Sequence, residues 1–279
     1  MGQSTSSLPS ALPDLALHCL RVAENSPASN LIEPFFDYLV GLETDPPSRT
    51  TLSGLNTNEL GWILEENEGR RIVLRVYNAK SQRIRGVGLV PSREWSEAAL
   101  RRNGLGQGEG NGNGSGSGNG NGNGDSDRTE KKPSLLGLSL RACDPAHALE
   151  SVYHVLDVLE GSPAEATGAL NRYKADQYSP QGLVPFGDFV LAWSGGPLHS
   201  ENDFYRLIEA HVDRPLRLFV HNSDLDNLRE VVLYPTRQWG GKGLIGCGIG
   251  YGLLHRIPRP TTPLATVSEP FIGPELTHP

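Results

Sequence analysis

The chain has 279 residues, enough for two domains of about 100–130 residues with linkers. Its apolar share of 37% lies below the roughly 45–50% of an ordinary globular domain, and 33 glycines and 21 prolines make up much of the shortfall. A formal charge of −7 excludes the basic footprint of a nucleic-acid binder, no apolar run is long enough to span a bilayer, and three cysteines (Cys19, Cys143, Cys247) exclude a disulfide framework.

The first element is polar, Met1 to Ser7, without the basic start and apolar core of a signal peptide. Met1-Gly2-Gln3-Ser4-Thr5-Ser6 instead matches the myristoylation pattern, which makes Gly2 the predicted lipidation site and residues 1–14 an anchor segment. Alternating side chains predict a strand over His18–Val22, and Ser26-Pro27 then supplies an N-cap and a first-turn proline, predicting a short helix. A strand over Phe36–Leu42 follows. A helix opens at Thr57, with Leu60, Ile63 and Leu64 on one face, and strands follow at Ile72–Tyr77 and Ile84–Val90. From Gly104 to Gly124 every second residue is glycine, interleaved mostly with Asn and Ser. Such a tract has little to bury and a high ordering cost, so residues 103–133 are predicted to be disordered. A strand over Leu136–Arg141 resumes the pattern before a boundary near Asp144–Ala148.

The second half repeats the order. Strand Val152–Val158 precedes Ser162-Pro163 and a second short helix, then an additional stretch from Asn171 to Gln181 and strand Asp188–Trp193. A helix opens at Ser200 with Phe204, Leu207 and Ile208 on its apolar face. Strands Leu216–His221, Arg229–Tyr234 and Ile245–Gly250 complete the copy, and a proline-dotted tail, 258–279, is predicted to be disordered. Specific residues recur as well. His18 through Ser26-Pro27-Ala28 returns as His154 through Ser162-Pro163-Ala164, and Val76 through Trp95 returns as Val220 through Trp239. Leu135-Leu136-Gly137-Leu138 echoes Leu244-Ile245-Gly246-Cys247. With Pro34-Phe35-Phe36-Asp37-Tyr38 returning as Pro185-Phe186-Gly187-Asp188-Phe189, four blocks in one order make the chain a duplication, with domains over 15–145 and 146–257. Each copy is mainly β with short helices, an α+β, partly open barrel.

No catalytic set assembles: Ser194 lacks the preceding glycine of a nucleophile elbow, and no H-E-x-x-H, C-x-x-C or Walker pattern occurs. Gly241-Lys242-Gly243-Leu244-Ile245-Gly246 has the dinucleotide spacing but runs into a strand where that site needs a helix. As a loop feeding an edge strand, the same glycines would offer backbone N–H groups to a peptide carboxylate, with the amphipathic helix as the facing wall. Leu135, Leu136, Gly137, Leu138 and Leu244, Ile245, Gly246, Cys247 are then the peptide-receiving elements; the other reading makes them ordinary buried strands with turn glycines.

The blocks His154-Val155-Leu156-x-Val158, Pro185-Phe186-x-Asp188-Phe189 and Trp239 through Pro258 resemble the signature of the Golgi reassembly-stacking (GRASP) family, and the likeness runs from Gly2 to Pro258 apart from the insertions. The resemblance implies two tandem PDZ-like domains in circularly permuted strand order, with the carboxylate loop and groove strand last in each copy. It implies a non-enzymatic peripheral scaffold on the cytoplasmic face of Golgi or ER-exit-site membranes. Such a scaffold self-associates, binds golgin-type coiled-coil proteins and cargo-receptor C-terminal peptides, and serves tethering and conventional or unconventional secretion. It carries no resident cofactor, but His18 and Cys143 are implied to share a zinc ion with cysteines of a golgin partner. Two ligands leave a tetrahedral site incomplete, and the plain alternative is a strand histidine and a small apolar cysteine. The first copy departs from the signature: Ser96-Glu97-Ala98 follows Trp95, and the insert occupies the loop itself, so the second groove is expected to be the better receiver. The rival readings are a cytosolic PDZ-type signalling scaffold and the regulatory PDZ pair of a protease.

Overall fold

Period-two alternation becomes antiparallel sheet in both copies. The structure is a computed structural model that describes residues 12–44, 49–51, 57–96, 134–166 and 182–258. Two units divide between Ala148 and Leu149; the sequence places the boundary between residues 145 and 146. The first unit holds β1 (Ala16–Val22), β2 (Asp37–Glu43), β3 (Arg49–Thr51), α1 (Thr57–Glu66), β4 (Ile72–Asn78), β5 (Arg83–Leu89) and β6 (Leu138–Cys143). The second holds β7 (Tyr153–Val158), α2 (Pro163–Ala166), β8 (Asp188–Trp193), β9 (Gly196–Pro197), α3 (Glu201–Ala210), β10 (Leu216–Asn222), β11 (Asn227–Leu233) and β12 (Cys247–Tyr251). The sheets run β5-β4-β2-β1-β6 and β11-β10-β8-β7-β12, with β3 on β2 and β9 on β8, and neither sheet closes. The last strand of each unit therefore pairs with its first and stands at the edge, as in a tandem of PDZ-like domains with the groove strand placed last.

Each sheet folds over its own core. Leu17, Leu39, Leu42, Leu74 and Val76 meet Leu60 and Leu64 of α1; Val155, Val190, Leu216, Leu218 and Val220 meet Phe204, Leu207 and Ile208 of α3. The helical spacing of three and four residues puts those helix side chains on one stripe, which is why the helices lie against the sheets. α3 starts cleanly: the Asp203 carboxylate accepts from the backbone N–H groups of His199 (2.9 Å) and Ser200 (3.1 Å) and from the Ser200 hydroxyl (2.7 Å). At the far end of each sheet a fully buried aspartate gathers donors. Asp37 accepts from Asn78 (2.8 Å), the backbone of Glu33 (2.7 Å) and both arms of Arg85 (2.9 and 2.6 Å). Asp188 repeats this with Asn222 (2.8 Å), Val184 (2.8 Å) and Arg229. A bidentate guanidinium and two further donors are what let a carboxylate lie buried.

Three expectations change. The short helix predicted after Ser26-Pro27 is a run of turns, ended by Asn30 in a left-handed conformation with φ 62°. Ser162 does cap, accepting from the Glu165 N–H at 3.3 Å, whereas the buried Ser26 hydroxyl finds no partner. The predicted strands Leu136–Arg141 and Ile245–Gly250 begin later, at Leu138 and Cys247, since Gly137 (φ 73°) and Gly246 (φ 66°) break the extended backbone. β3 and β9 were not foreseen. Residues 1–11 with Gly2, the 103–133 insert, the stretch Asn171 to Gln181 and the tail beyond Pro258 lie outside the described residues.

Candidate peptide-binding grooves

In both units the loop before the edge strand is built alike. Thr236 N–H donates to Leu244 O (2.8 Å) and Leu159 N–H to Gly246 O (2.8 Å); Ser92 donates to Leu135 O (3.0 Å) and Ala23 to Gly137 O (2.8 Å). The indole of Trp239 donates to Gly243 O (2.9 Å) and that of Trp95 to Ser134 O (3.0 Å), so the first loop holds the same frame even though the insert separates its two sides. A side chain at Gly246 would collide with Ser162 and Trp239, and one at Gly137 would collide with Ser26 and crowd Trp95. With their left-handed φ, glycine is required at both positions.

This loop and its edge strand face the amphipathic helix across an open groove. In the second unit the groove has a volume of about 580 Å³, floored by Leu159, Leu244, Ile245 and Ile249 and walled by Phe204 and Ile208. In the first unit it is about 400 Å³, between Leu60 and Leu64 of α1 and Leu135, Leu136, Leu138 and Leu140. All eight predicted peptide-receiving residues therefore belong to these loop-and-edge elements. The loop members Leu135, Leu136 and Ile245 are buried, while Leu138 and Cys247 are half-exposed. Burial, and then the Asp157 charge, push the Cys247 thiol up to about 12, so it lines the groove as a neutral group.

The grooves differ in what they offer an anion. The backbone N–H groups of Leu244, Ile245 and Gly246 make no hydrogen bond among the described residues, and neither Arg237 nor Lys242 at the groove mouth has an ion pair there. In the first groove the Gly137 N–H is already taken by the Ser134 hydroxyl (2.9 Å), and Arg93, the counterpart of Arg237, is held by Glu65 (3.0 Å) and Glu68. The sequence reading missed Arg237 and Lys242 as site residues. Their signal was positional, one cation just before the glycine loop and one within it.

A profile described as the GRASP55/65 PDZ-like domain matches residues 4–112 and 124–260. The chain belongs to the GRASP family. It is 36% identical over 242 residues to human Golgi reassembly-stacking protein 1, and 24% identical over 246 residues to Saccharomyces cerevisiae GRASP65 homolog protein 1. Those matches cover 86% and 81% of this chain but 42% and 54% of the relatives, so the chain spans about half the length of the curated relatives it matches.

In this GRASP chain β1 pairs with β6 so that His18 faces Arg141 and Ala16 faces Cys143, which puts His18 and Cys143 diagonally on one face. His18 Nε2 lies 2.9 Å from Phe35 O, and its ring stacks on Tyr38 with centroids 4.3 Å apart. Burial, with a smaller push from Arg141, lowers its pKa from the ordinary 6.5. Burial raises the Cys143 thiol, partly offset by a hydrogen bond from the His18 backbone. Among the described residues no group of three or more His, Cys, Asp or Glu side chains converges, so this pair fits a zinc ion only as two of four ligands. No helix among the described residues is long and apolar enough to cross a membrane.

Proposed function

We propose that this chain is a non-catalytic, myristoyl-anchored scaffold of the Golgi and early secretory pathway, acting on the cytoplasmic face of Golgi and ER-exit-site membranes. Its two PDZ-like grooves receive the C-terminal peptides of golgin-type coiled-coil proteins and cargo receptors, and self-association through the same modules links membranes for Golgi organisation and secretion. The observation that carries the reading is the second groove: an open edge strand opposite α3, ending in three backbone N–H groups and two cations that have no partner among the described residues. A ligand strand extends the sheet there, and its terminal carboxylate meets the donors. The family membership and the printed name of the human relative, a Golgi reassembly-stacking protein, support the cellular setting. His18 and Cys143 would add two ligands to a zinc ion completed by a partner's cysteines.

The test is fluorescence anisotropy on C-terminal decapeptides ending in Val, Leu or Ile, each with a free and an amidated terminus. Charge-assisted hydrogen bonds contribute about 1.5–3 kcal/mol, so amidation is expected to weaken binding about 10–100-fold. Lys242→Glu should do the same for the free carboxylate while leaving the fold intact. Equal affinity for both termini, or indifference to Lys242→Glu, overturns the groove assignment.

A further inference from the structure

The second unit carries a pair of imidazoles that the groove does not use. His154, on β7, is the repeat counterpart of His18. Its Nε2 lies 2.9 Å from Phe186 O and its ring stacks on Phe189 with centroids 4.3 Å apart, so Nε2 is the N–H donor and Nδ1 keeps its lone pair. That Nδ1 is met by Nδ1 of His255, from the 3₁₀ turn Leu253–His255 after β12, at 3.4 Å. Gly250 lies beneath: a Cβ there would collide with the His255 ring, so the missing side chain is what admits it against the sheet.

A separation of 3.4 Å is long for a hydrogen bond between ring nitrogens, whose usual range is about 2.7–3.2 Å. It does match another arrangement. Two imidazole nitrogens each about 2.0–2.1 Å from a tetrahedral zinc ion lie about 3.3–3.4 Å apart. The rings are tilted by 53° with centroids 5.6 Å apart, so they meet through their Nδ1 atoms and not by stacking. The carbonyl that holds the remote nitrogen of His154 is the outer contact that fixes the tautomer of a metal-binding histidine.

We infer that His154 and His255 form a two-imidazole site for a borderline divalent transition ion such as Zn²⁺, with its remaining positions open to water or to donors of a bound partner. No third His, Cys, Asp or Glu joins them among the described residues. Neutral His255 binds by moving its proton from Nδ1 to Nε2 through solvent, with no net proton released; imidazolium gives up one proton per ion. The ion staples the turn after β12 onto β7, and through β12 it steadies the groove edge.

The test is a Zn²⁺ titration of the full chain followed by ring ¹⁵N NMR and calorimetry. Zn²⁺ is expected to shift the Nδ1 resonances of both His154 and His255. His154 is packed against Phe189, so the variants are His255→Ala, which removes a ligand, and Gly250→Ala, whose methyl displaces it. Each is expected to weaken Zn²⁺ binding at the site by at least about tenfold. Unmoved Nδ1 signals, or wild-type affinity in both variants, overturn the site. Binding abolished by Cys143→Ser yet retained in His255→Ala places the ion in the first unit and overturns it equally.

Discussion

His18 shows how one buried titratable group couples the first unit to pH. Its ring lies under Tyr38 with one nitrogen committed to Phe35 O, and burial holds its pKa below 6.5. A base whose pKa is depressed on folding binds fewer protons in the folded chain than in the unfolded one. Its contribution is therefore complete above about pH 6.5 and is lost as pH falls toward the lower folded value. Arg141, directly across the strand pair, adds to the same direction. Scanning calorimetry between pH 7.5 and 5.5 is expected to show the first unit's transition moving down with acid. His18→Gln keeps a donor for the carbonyl and removes the titration, so the slope should flatten. An unchanged slope in that variant would mean that His18 does not couple the unit to acid.

At the scale of elements, the sheets were legible because a strand with one buried face writes its period into the sequence, and ten predicted strands appear at or near their places. β3 and β9, three and two residues long, carry too few positions for any period to show. The false helix after Ser26-Pro27 came from reading a cap and proline without the left-handed Asn30 that follows. The groove loop was legible as a glycine pattern, but His255 was not, since it reaches His154 across 101 residues from a turn. The loop also carries the difference between the copies. Gly137 spends its N–H on the Ser134 hydroxyl, and Ser134→Gly releases it without touching the backbone carbonyl that Trp95 uses. In a chain whose second groove is disabled by Lys242→Glu, that change is expected to raise affinity for carboxylate-terminated peptides several-fold, up to about tenfold for one added charge-assisted bond. Isothermal titration would read it, and no gain would mean that the hydroxyl does not limit the first groove.

At the scale of the whole molecule, the proposed anchoring must explain how a chain with a net charge of −7 would stay on a membrane. The cytoplasmic leaflet is itself anionic, so electrostatics do not supply the second attachment that a lipid chain requires. A single myristoyl group, as proposed for Gly2, would bind with a constant on the order of 10⁴ M⁻¹, which is reversible on its own. In the proposed tether, contact between copies anchored on facing membranes would make each attachment hold the other, and effective concentration would then multiply two weak bonds into a durable link. The expected outcome is that N-myristoylated chain clusters neutral phosphatidylcholine vesicles, read as growth in light scattering, whereas Gly2→Ala leaves them dispersed. Mixing myristoylated with unmyristoylated chain should lower clustering more steeply than the fraction of anchored chain, since a link needs an anchor at both ends. Clustering that survives Gly2→Ala, or that falls only in proportion to anchored chain, would remove bivalent anchoring as the source of the tether.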